Sequence, residues 1–308
     1  MIEQIAGLHH VTMMASGAIA NDRFYRQTLG LRRIKKTVNF DQPDVYHLYW
    51  GNEVGAPGTA MTSFPFGNIR RGEIGTGEVE TTVFSVPVGS LDAWEERLRS
   101  FDAPIVARMQ TFGTQRLLTE GPDGETIGLE EHADDRRPYV GEGTSPDNAI
   151  RGFRAVTLRI RDAGPMRELL EFMGYRNEGQ EEGVQRFIVR DGSGATVVEL
   201  NEVPEGARAQ PGAGSIHHIA FSVPNDEAQR EVRQALVDAG YQVTPVIDRD
   251  YFNAIYFRTP GGVLFEVATD TPGFTTDEDE AHLGEELQLP SQHEHLRERL
   301  ERTLEPLD

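Results

Sequence analysis

Short runs of alternating bulky and small residues recur along the chain, and a stretch with helical spacing follows each of them. The run His-His-Ile-Ala-Phe-Ser-Val at 217–223 is typical of a strand that packs one face on a core. Helical stretches are predicted at 91–101 and 227–239. Apolar runs set off by Gly and Pro predict further strands after each helix.

This pattern occurs four times. Phe-Ser-Val-Pro ends a run at 84–87 and again at 221–224, and Leu-Gly-Leu at 29–31 has the counterpart Met-Gly-Tyr at 173–175. Such internal similarity predicts a repeated structural unit. We place the four modules at 5–66, 78–131, 150–202 and 214–268.

The modules predict two domains. Modules one and two are expected to form an N-terminal domain (1–133), and modules three and four a C-terminal domain (150–270). The polar, turn-rich stretch 134–149 is interpreted as a linker. An acidic tail (271–308) ends in a stretch with helical spacing, which predicts a terminal helix. Two histidines of this tail, His293 and His295, are expected to be solvated.

Composition excludes several classes of protein. The chain of 308 residues has no cysteine, which excludes disulfides, thiolate metal sites and cysteine nucleophiles. It has neither an apolar run long enough to cross a membrane nor the start of a secretory signal, so we expect a soluble cytoplasmic protein. Its net charge of −20 argues against nucleic acid as a partner.

The charged residues are unevenly chosen. Lys35 and Lys36 are the only lysines, whereas Asp and Glu number 50. An acidic surface poor in lysine is expected of a halophilic protein that works in concentrated salt, where screening weakens self-repulsion. A GC-rich genome that replaces Lys by Arg is the alternative explanation.

Strand alternation selects three candidate metal ligands. It turns His10 with Thr12, and likewise His218, to the polar inner face of their strands. Glu266 occupies the same kind of face in the apolar run Val-Leu-Phe-Glu-Val-Ala. A carboxylate there is costly unless it is paired or bound to a metal. Two histidines and one carboxylate match the ligand triad of non-haem Fe(II) sites that react with O2.

The other modules lack these ligands. Where module four has His218 and Glu266, module two has Thr81 and Gly128, and module three has Ala155 in place of His10. We therefore expect one metal site, built from modules one and four. Alternation turns His9 and His217 to the back of their strands, where a structural role and a supporting role at the metal are both open.

The chain resembles the vicinal-oxygen-chelate superfamily over about residues 5–270. This resemblance implies an α+β fold in which four βαβββ modules pair into two cup-shaped half-barrel domains. Both His-His pairs, together with the motif Asp-Arg-Asp-Tyr-Phe to Phe-Glu-Val-Ala-Thr-Asp at 248–270, resemble the hydroquinone-type ring-cleaving dioxygenases. A small aromatic substrate and O2 are the partners that follow from it.

The same resemblance implies Fe(II), less often Mn(II), at His10, His218 and Glu266. It also implies roles beside the metal for the matching Thr12, Arg249 and Tyr256, and leaves such roles open for His9 and His217. Tyr256 is expected to face the substrate, and Arg249 to bind developing negative charge or to pair with Asp248 or Asp250. The aromatic wall is expected to draw on Phe64, Phe66, Phe112, Phe252 and Phe257, although alternation turns Phe257 to the core.

Two other functions stay open. A glyoxalase-type isomerase or lyase would use the same fold and a metal, but its sites commonly carry more carboxylates. A protein that binds a quinone or a drug without converting it would not need the triad. The amphipathic terminal helix also offers a surface for a homo-oligomer.

Overall fold

The computed structural model describes residues 1–189 and 194–307 and contains sixteen strands and five α-helices in that part of the chain. Each predicted module folds as one strand, one helix and three further strands, which confirms the βαβββ prediction. No helix among the described residues is both long and apolar enough to span a bilayer.

The first half of the chain supplies two modules. Module one consists of β1 (Leu8–Ala15), α1 (Ala18–Arg23) with a π-helical turn (Phe24–Thr28), β2 (Arg32–Val38), β3 (Tyr46–Gly51) and β4 (Ala60–Pro65). Module two consists of β5 (Glu78–Val86), α2 (Leu91–Ser100), β6 (Ile105–Thr111), β7 (Thr114–Glu120) and β8 (Thr126–Glu131).

The second half repeats the arrangement. Module three consists of β9 (Gly152–Ile160), α3 (Ala163–Phe172), β10 (Arg176–Glu181), β11 (Val184–Ile188) and β12 (Val197–Glu202). Module four consists of β13 (Ile216–Val223), α4 (Asp226–Asp238), β14 (Ile247–Asp248), β15 (Phe252–Arg258) and β16 (Leu264–Pro272). The Asn225 side chain caps α4 by accepting hydrogen bonds from two backbone N–H groups of its first turn.

The four modules form two eight-stranded sheets, but they pair differently from the expectation. The first sheet has the order β14-β15-β16-β13-β1-β4-β3-β2 and joins module four to module one. The second has the order β10-β11-β12-β9-β5-β8-β7-β6 and joins module three to module two. The expected pairing of modules one with two and three with four is corrected, because the antiparallel pairs β1·β13 and β5·β9 close the two sheets.

Apolar side chains fill the space between the sheets and their helices. Tyr25 stacks on Trp50 with 4.8 Å between ring centroids, and the rings of Phe221 and Phe265 are also 4.8 Å apart. These residues are almost fully buried, as expected of the bulky faces of alternating strands. The opposite, concave face of the first sheet is left for polar side chains.

The stretches outside the modules pack on the sheets. Residue Arg136, within the predicted linker, donates hydrogen bonds to the carbonyl groups of Gly58 and Phe153. After β16 the chain forms short 3-10 turns (Phe274–Thr276, Glu280–His282 and Ser291–Leu296) and then α5 (Arg297–Thr303). The predicted terminal helix is therefore present, and it is only two turns long.

Candidate metal centre

Three neighbouring strands of the first sheet carry His10, His218 and Glu266. In the sheet, Thr12 lies opposite His218, and Ala220 of β13 lies opposite Glu266 of β16. Glu266 Oε2 lies 2.9 Å from His218 Nε2 and 3.5 Å from His10 Nε2, and the two Nε2 atoms are 3.2 Å apart. All three side chains are buried. The structure thus brings the three predicted ligands together.

The electrostatics of this cluster fit a cation. Glu266 Oε1 is buried and has no hydrogen-bond partner among the described residues. Burial raises the pKa of the Glu266 carboxyl, but the imidazoles of His10 and His218 outweigh burial and hold this pKa well below its ordinary value. Burial lowers the pKa of His218, so its imidazole is neutral at pH 7. A carboxylate with a bare oxygen beside imidazole nitrogens suits a divalent transition metal.

Both His-His pairs lie at irregularities in the sheet. The register between β1 and β13 shifts at His9 and again at His217, so each is an extra residue in its strand. Such a bulge turns a side chain away from strict alternation. His9 Nδ1 lies 2.9 Å from His10 Nδ1, and His217 Nδ1 lies 2.7 Å from His218 Nδ1. Each first histidine therefore contacts a candidate ligand, contrary to the back-facing position that alternation predicts.

These contacts assign the tautomer of His10. Burial lowers the pKa of His9 to about 3, so its ring is neutral and carries one proton. That proton is donated to the backbone carbonyl of Thr269, which leaves His9 Nδ1 as an acceptor. His10 must then donate from Nδ1 and present the lone pair of Nε2 to the metal position. His217, whose pKa burial also lowers to about 3, has the matching geometry toward His218.

A second hydrogen-bonded chain, missed by sequence reasoning, lines the same cup. His47 Nδ1 lies 2.9 Å from the hydroxyl of Tyr49, and His47 Nε2 lies 3.0 Å from Thr62 Oγ1. Thr62 in turn donates to Thr12 Oγ1 over 2.7 Å. Burial lowers the pKa of His47 well below its ordinary value, so this imidazole is neutral. The sequence signal for this chain of hydrogen bonds was the spacing of His47 and Tyr49, two residues apart in β3, which places both side chains on one face of the strand.

Arg249 and Tyr256 meet at the opposite wall. Arg249 Nε donates to the Tyr256 hydroxyl over 3.3 Å, and the Tyr256 ring lies edge-on to His218 at 5.8 Å. The ion-pair partner of Arg249 is Asp41 of the β2–β3 loop, at 3.7 Å, rather than a neighbouring aspartate. Burial raises the pKa of Tyr256, so its hydroxyl stays protonated at neutral pH.

A cavity of about 340 Å³ lies here, with the three candidate ligands at its base and aromatic rings on its walls. Of the predicted aromatic wall, Phe64, Phe66 and Phe252 line the cavity. Phe257 lies in the core, as alternation predicted. Phe112 lies instead in the second half-barrel, over the guanidinium of Arg186 at 4.0 Å. The sequence could not separate these cases because aromatic residues serve both cores and pockets.

The chain is similar to several known proteins. The family described as the Glyoxalase/Bleomycin resistance protein/Dioxygenase superfamily matches residues 158–267. MhqO of Bacillus subtilis, named for a proposed ring-cleaving dioxygenase activity, is 41% identical over 100% of this chain and 98% of its own. The chlorohydroquinone/hydroquinone 1,2-dioxygenase of Sphingobium indicum is 33% identical over 98% of this chain and 97% of its own.

Solved structures extend the likeness. One crystal structure from Bacillus subtilis is of a protein named for a proposed dioxygenase activity. It has a TM-score of 0.96 and 40% identity, and the match covers 99% of this chain and 98% of that one. Glyoxalase I from Zea mays has a TM-score of 0.64 at 16% identity, covering 86% of this chain and 92% of that one. The second likeness concerns the fold alone.

Proposed function

Because this chain belongs to the Glyoxalase/Bleomycin resistance protein/Dioxygenase superfamily, we propose that it cleaves the ring of a hydroquinone with both atoms of O2. His10, His218 and Glu266 would hold Fe(II), with Mn(II) as the alternative metal. The observation that carries this proposal is the cluster of two imidazoles and one carboxylate at the base of an aromatic-walled cavity. The activities named for the relatives support the same reaction.

The cavity suits a flat, substituted ring. Its volume of about 340 Å³ is close to that of sites for small organic ligands, and Phe64, Phe66 and Phe252 offer faces for stacking. When bound, Fe(II) would lower the pKa of a ring hydroxyl and exchange electrons with dioxygen. The net reaction adds one O2 to one ring and breaks one carbon–carbon bond, so it needs no further reductant.

The protein's own groups would handle protons and charge. The His47–Tyr49 pair offers a neutral imidazole and a hydroxyl at the cavity wall, which suits accepting a proton from the ring hydroxyl. Arg249 would stabilise negative charge that develops on oxygen, and it keeps the Tyr256 hydroxyl oriented. Thr12 would act through Thr62 and His47, because it does not line the cavity.

The test is anaerobic reconstitution with Fe(II), followed by hydroquinone and O2, with oxygen uptake and the ultraviolet spectrum recorded. We expect stoichiometric O2 consumption with loss of the aromatic band. His218→Ala should abolish both metal binding and uptake, whereas the control His282→Ala, at an exposed histidine, should change neither. Tight metal binding without O2 uptake on hydroquinones or catechols would favour the isomerase class, and absence of metal binding would overturn the proposal.

A further inference from the structure

The chain beyond β16 reaches both rims of the cavity. We call residues 273–307 the C-terminal segment. One rim is the β2–β3 loop, which lines the cavity with Asn39, Phe40, Asp41 and Gln42. The other is the β14–β15 loop, which contributes Arg249. Neither loop adjoins β1, β13 or the candidate ligand in β16 along the chain, so both are separate from the residues that would hold a metal.

The first rim is attached to the segment at two points. His293 Nε2 donates to the backbone carbonyl of Phe40 over 2.8 Å, so the expectation that His293 is merely solvated is corrected. Arg299 Nη2 lies 3.0 Å from Asp44 Oδ1. Within the loop, Asn39 Oδ1 accepts hydrogen bonds from the backbone N–H groups of Asp41 and Gln42, at 2.9 and 3.1 Å. The segment therefore holds a loop that is already ordered as a turn.

The second rim is attached through Tyr251. Its hydroxyl donates to Asp277 Oδ2 over 2.8 Å, and its carbonyl accepts from the backbone N–H of Gly273 over 2.9 Å. The fully buried Lys35 ammonium lies 2.5 Å from Asp277 Oδ1 and 4.7 Å from the centroid of the Tyr251 ring. This contact fixes the segment against β2, because the buried ammonium would be costly there without a carboxylate partner.

The two rims meet at Arg249. Its guanidinium lies 5.3 Å from the Phe40 ring centroid, and Asp41 Oδ2 is 3.7 Å from its Nη1. Arg249 also donates to Tyr256, which lines the cavity near His218. A shift of either loop would thus move a group that lines the cavity, although the segment itself does not line it.

We propose that the C-terminal segment is a positioning element for substrate recognition, holding Phe40 and Arg249 at the cavity mouth and so determining which substituted rings enter. This inference rests on the proposed function. His293 and Tyr251 are positioning residues in this scheme, since they act on the cavity only through Phe40 and Arg249. The segment selects among hydroquinones by the shape of the mouth, and it leaves the metal cluster unchanged.

The test compares His293→Ala with His295→Ala in the full-length protein. His295 lies in the same 3-10 turn and is exposed, and it has no hydrogen bond to the β2–β3 loop. Hydrogen exchange of the amides of Asp41, Gln42 and Val45 is measured first. Loss of one hydrogen bond should accelerate their exchange by about fivefold in His293→Ala, whereas His295→Ala should match the wild type. Unchanged exchange in His293→Ala, or equal acceleration in both variants, would overturn the proposal.

Steady-state kinetics then separate positioning from a general loss of structure. For hydroquinones with and without a bulky ring substituent, His293→Ala should change the ratio of the two kcat/KM values by about fivefold through KM. Its kcat, metal content and Tm should stay near those of His295→Ala. A uniform loss of kcat would contradict the positioning role. If the wild type does not cleave hydroquinones, the proposed function fails, and amide exchange alone still decides the role of the segment.

Discussion

His9 and His217 illustrate how a residue can influence a site through the side chain next to it, and His217 also lines the cavity. Each is the extra residue of a bulge, and the Nδ1 atom of each lies within 3 Å of Nδ1 of a candidate ligand histidine. Strict alternation of side chains cannot predict this, because a bulge depends on the pairing of two strands that lie more than two hundred residues apart. The cluster of His10, His218 and Glu266 was predictable because polar residues in apolar strands need a partner.

We expect His217→Ala to weaken metal binding by about 10- to 100-fold, because His218 would lose the imidazole that lies 2.7 Å from its Nδ1 and orients its ring. Competition with a chromogenic chelator measures this affinity. His282→Ala, at an exposed histidine, serves as the control. Equal affinity in His217→Ala and wild type would show that His218 orients without this contact.

Tyr256 should affect turnover more than metal content. Its hydroxyl is bonded to Arg249 and faces the cavity, whereas its ring makes the edge contact with His218. Tyr256→Phe keeps the ring and removes the hydroxyl, so kcat should fall by about 100-fold or more with little change in bound metal. Parallel assays of metal stoichiometry and oxygen uptake check this. A matching loss of metal would mean that the hydroxyl is structural.

Glu125 is a buried carboxyl outside the cavity, and it should make stability depend on pH. Burial raises its pKa to about 7, although its oxygens lie 3.4 Å from the Tyr25 hydroxyl and 3.0 Å from the Asp123 amide nitrogen. The folded state therefore holds a proton that the unfolded state releases near pH 4.5, so the free energy of unfolding falls as pH rises from 4.5 to about 7.

Glu125→Gln removes this proton, so its unfolding free energy relative to wild type should rise by up to about 3 kcal/mol between those pH values. Urea unfolding at several pH values measures the difference. The exposed Glu96→Gln is the control and should add no such slope. A difference that stays constant with pH would mean that Glu125 is ionised in the folded protein throughout.

At the scale of elements, the two half-barrels carry different side chains on their inner faces. Gly128 occupies the position in β8 that Glu266 occupies in β16, and a Cβ there would lie 3.4 Å from the Arg116 side chain. Arg116 passes over this glycine and bonds both Glu130 and Glu199, which are buried. An ion-pair cluster thus occupies this half-barrel, and Gly128 stands where the other half-barrel has the candidate ligand Glu266.

Removing one member of this cluster should be costly. Arg116→Ala leaves two buried carboxylates short of a partner, and we expect a loss of about 3–5 kcal/mol in the free energy of unfolding. Chemical denaturation measures it, with Arg108→Ala, at a partly exposed ion pair, as the control. Metal affinity should stay unchanged, because the cluster lies in the other sheet. A loss below about 1 kcal/mol would indicate that the carboxylates take up protons instead.

Element boundaries were more predictable than element pairing. Alternation and helical spacing place α2 and α4 within one residue of their observed ends, because those patterns are local. Pairing is not local. Similarity between modules shows which of them are alike, but it does not show which strands pair between modules. The pairing of β1 with β13 therefore could not be predicted from the repeats. The shared site of His10 and His218 was the one indication that modules one and four adjoin.

At the scale of the whole molecule, net charge should govern the response to salt. With a charge of −20, the folded chain repels itself, and salt screens that repulsion. We expect the unfolding midpoint to rise steadily from low to molar KCl. Replacing three exposed glutamates (Glu96, Glu171 and Glu205) by Lys should flatten this dependence. A midpoint that does not change with salt would favour genome composition as the origin of the lysine-poor surface.

The nested pairing of modules, with two and three between one and four, has a consequence for how the protein is made. Modules two and three are contiguous in the chain, so their half-barrel can close as soon as residue 202 leaves the ribosome. The other half-barrel must wait, because β1 finds its partner β13 only after that central unit has been synthesised. Its first strand is translated early, yet it stays unpaired on that side until the far end of the chain arrives. We therefore expect metal acquisition to be a late event in biogenesis, dependent on a finished ion-pair half-barrel that brings the two distant strands together.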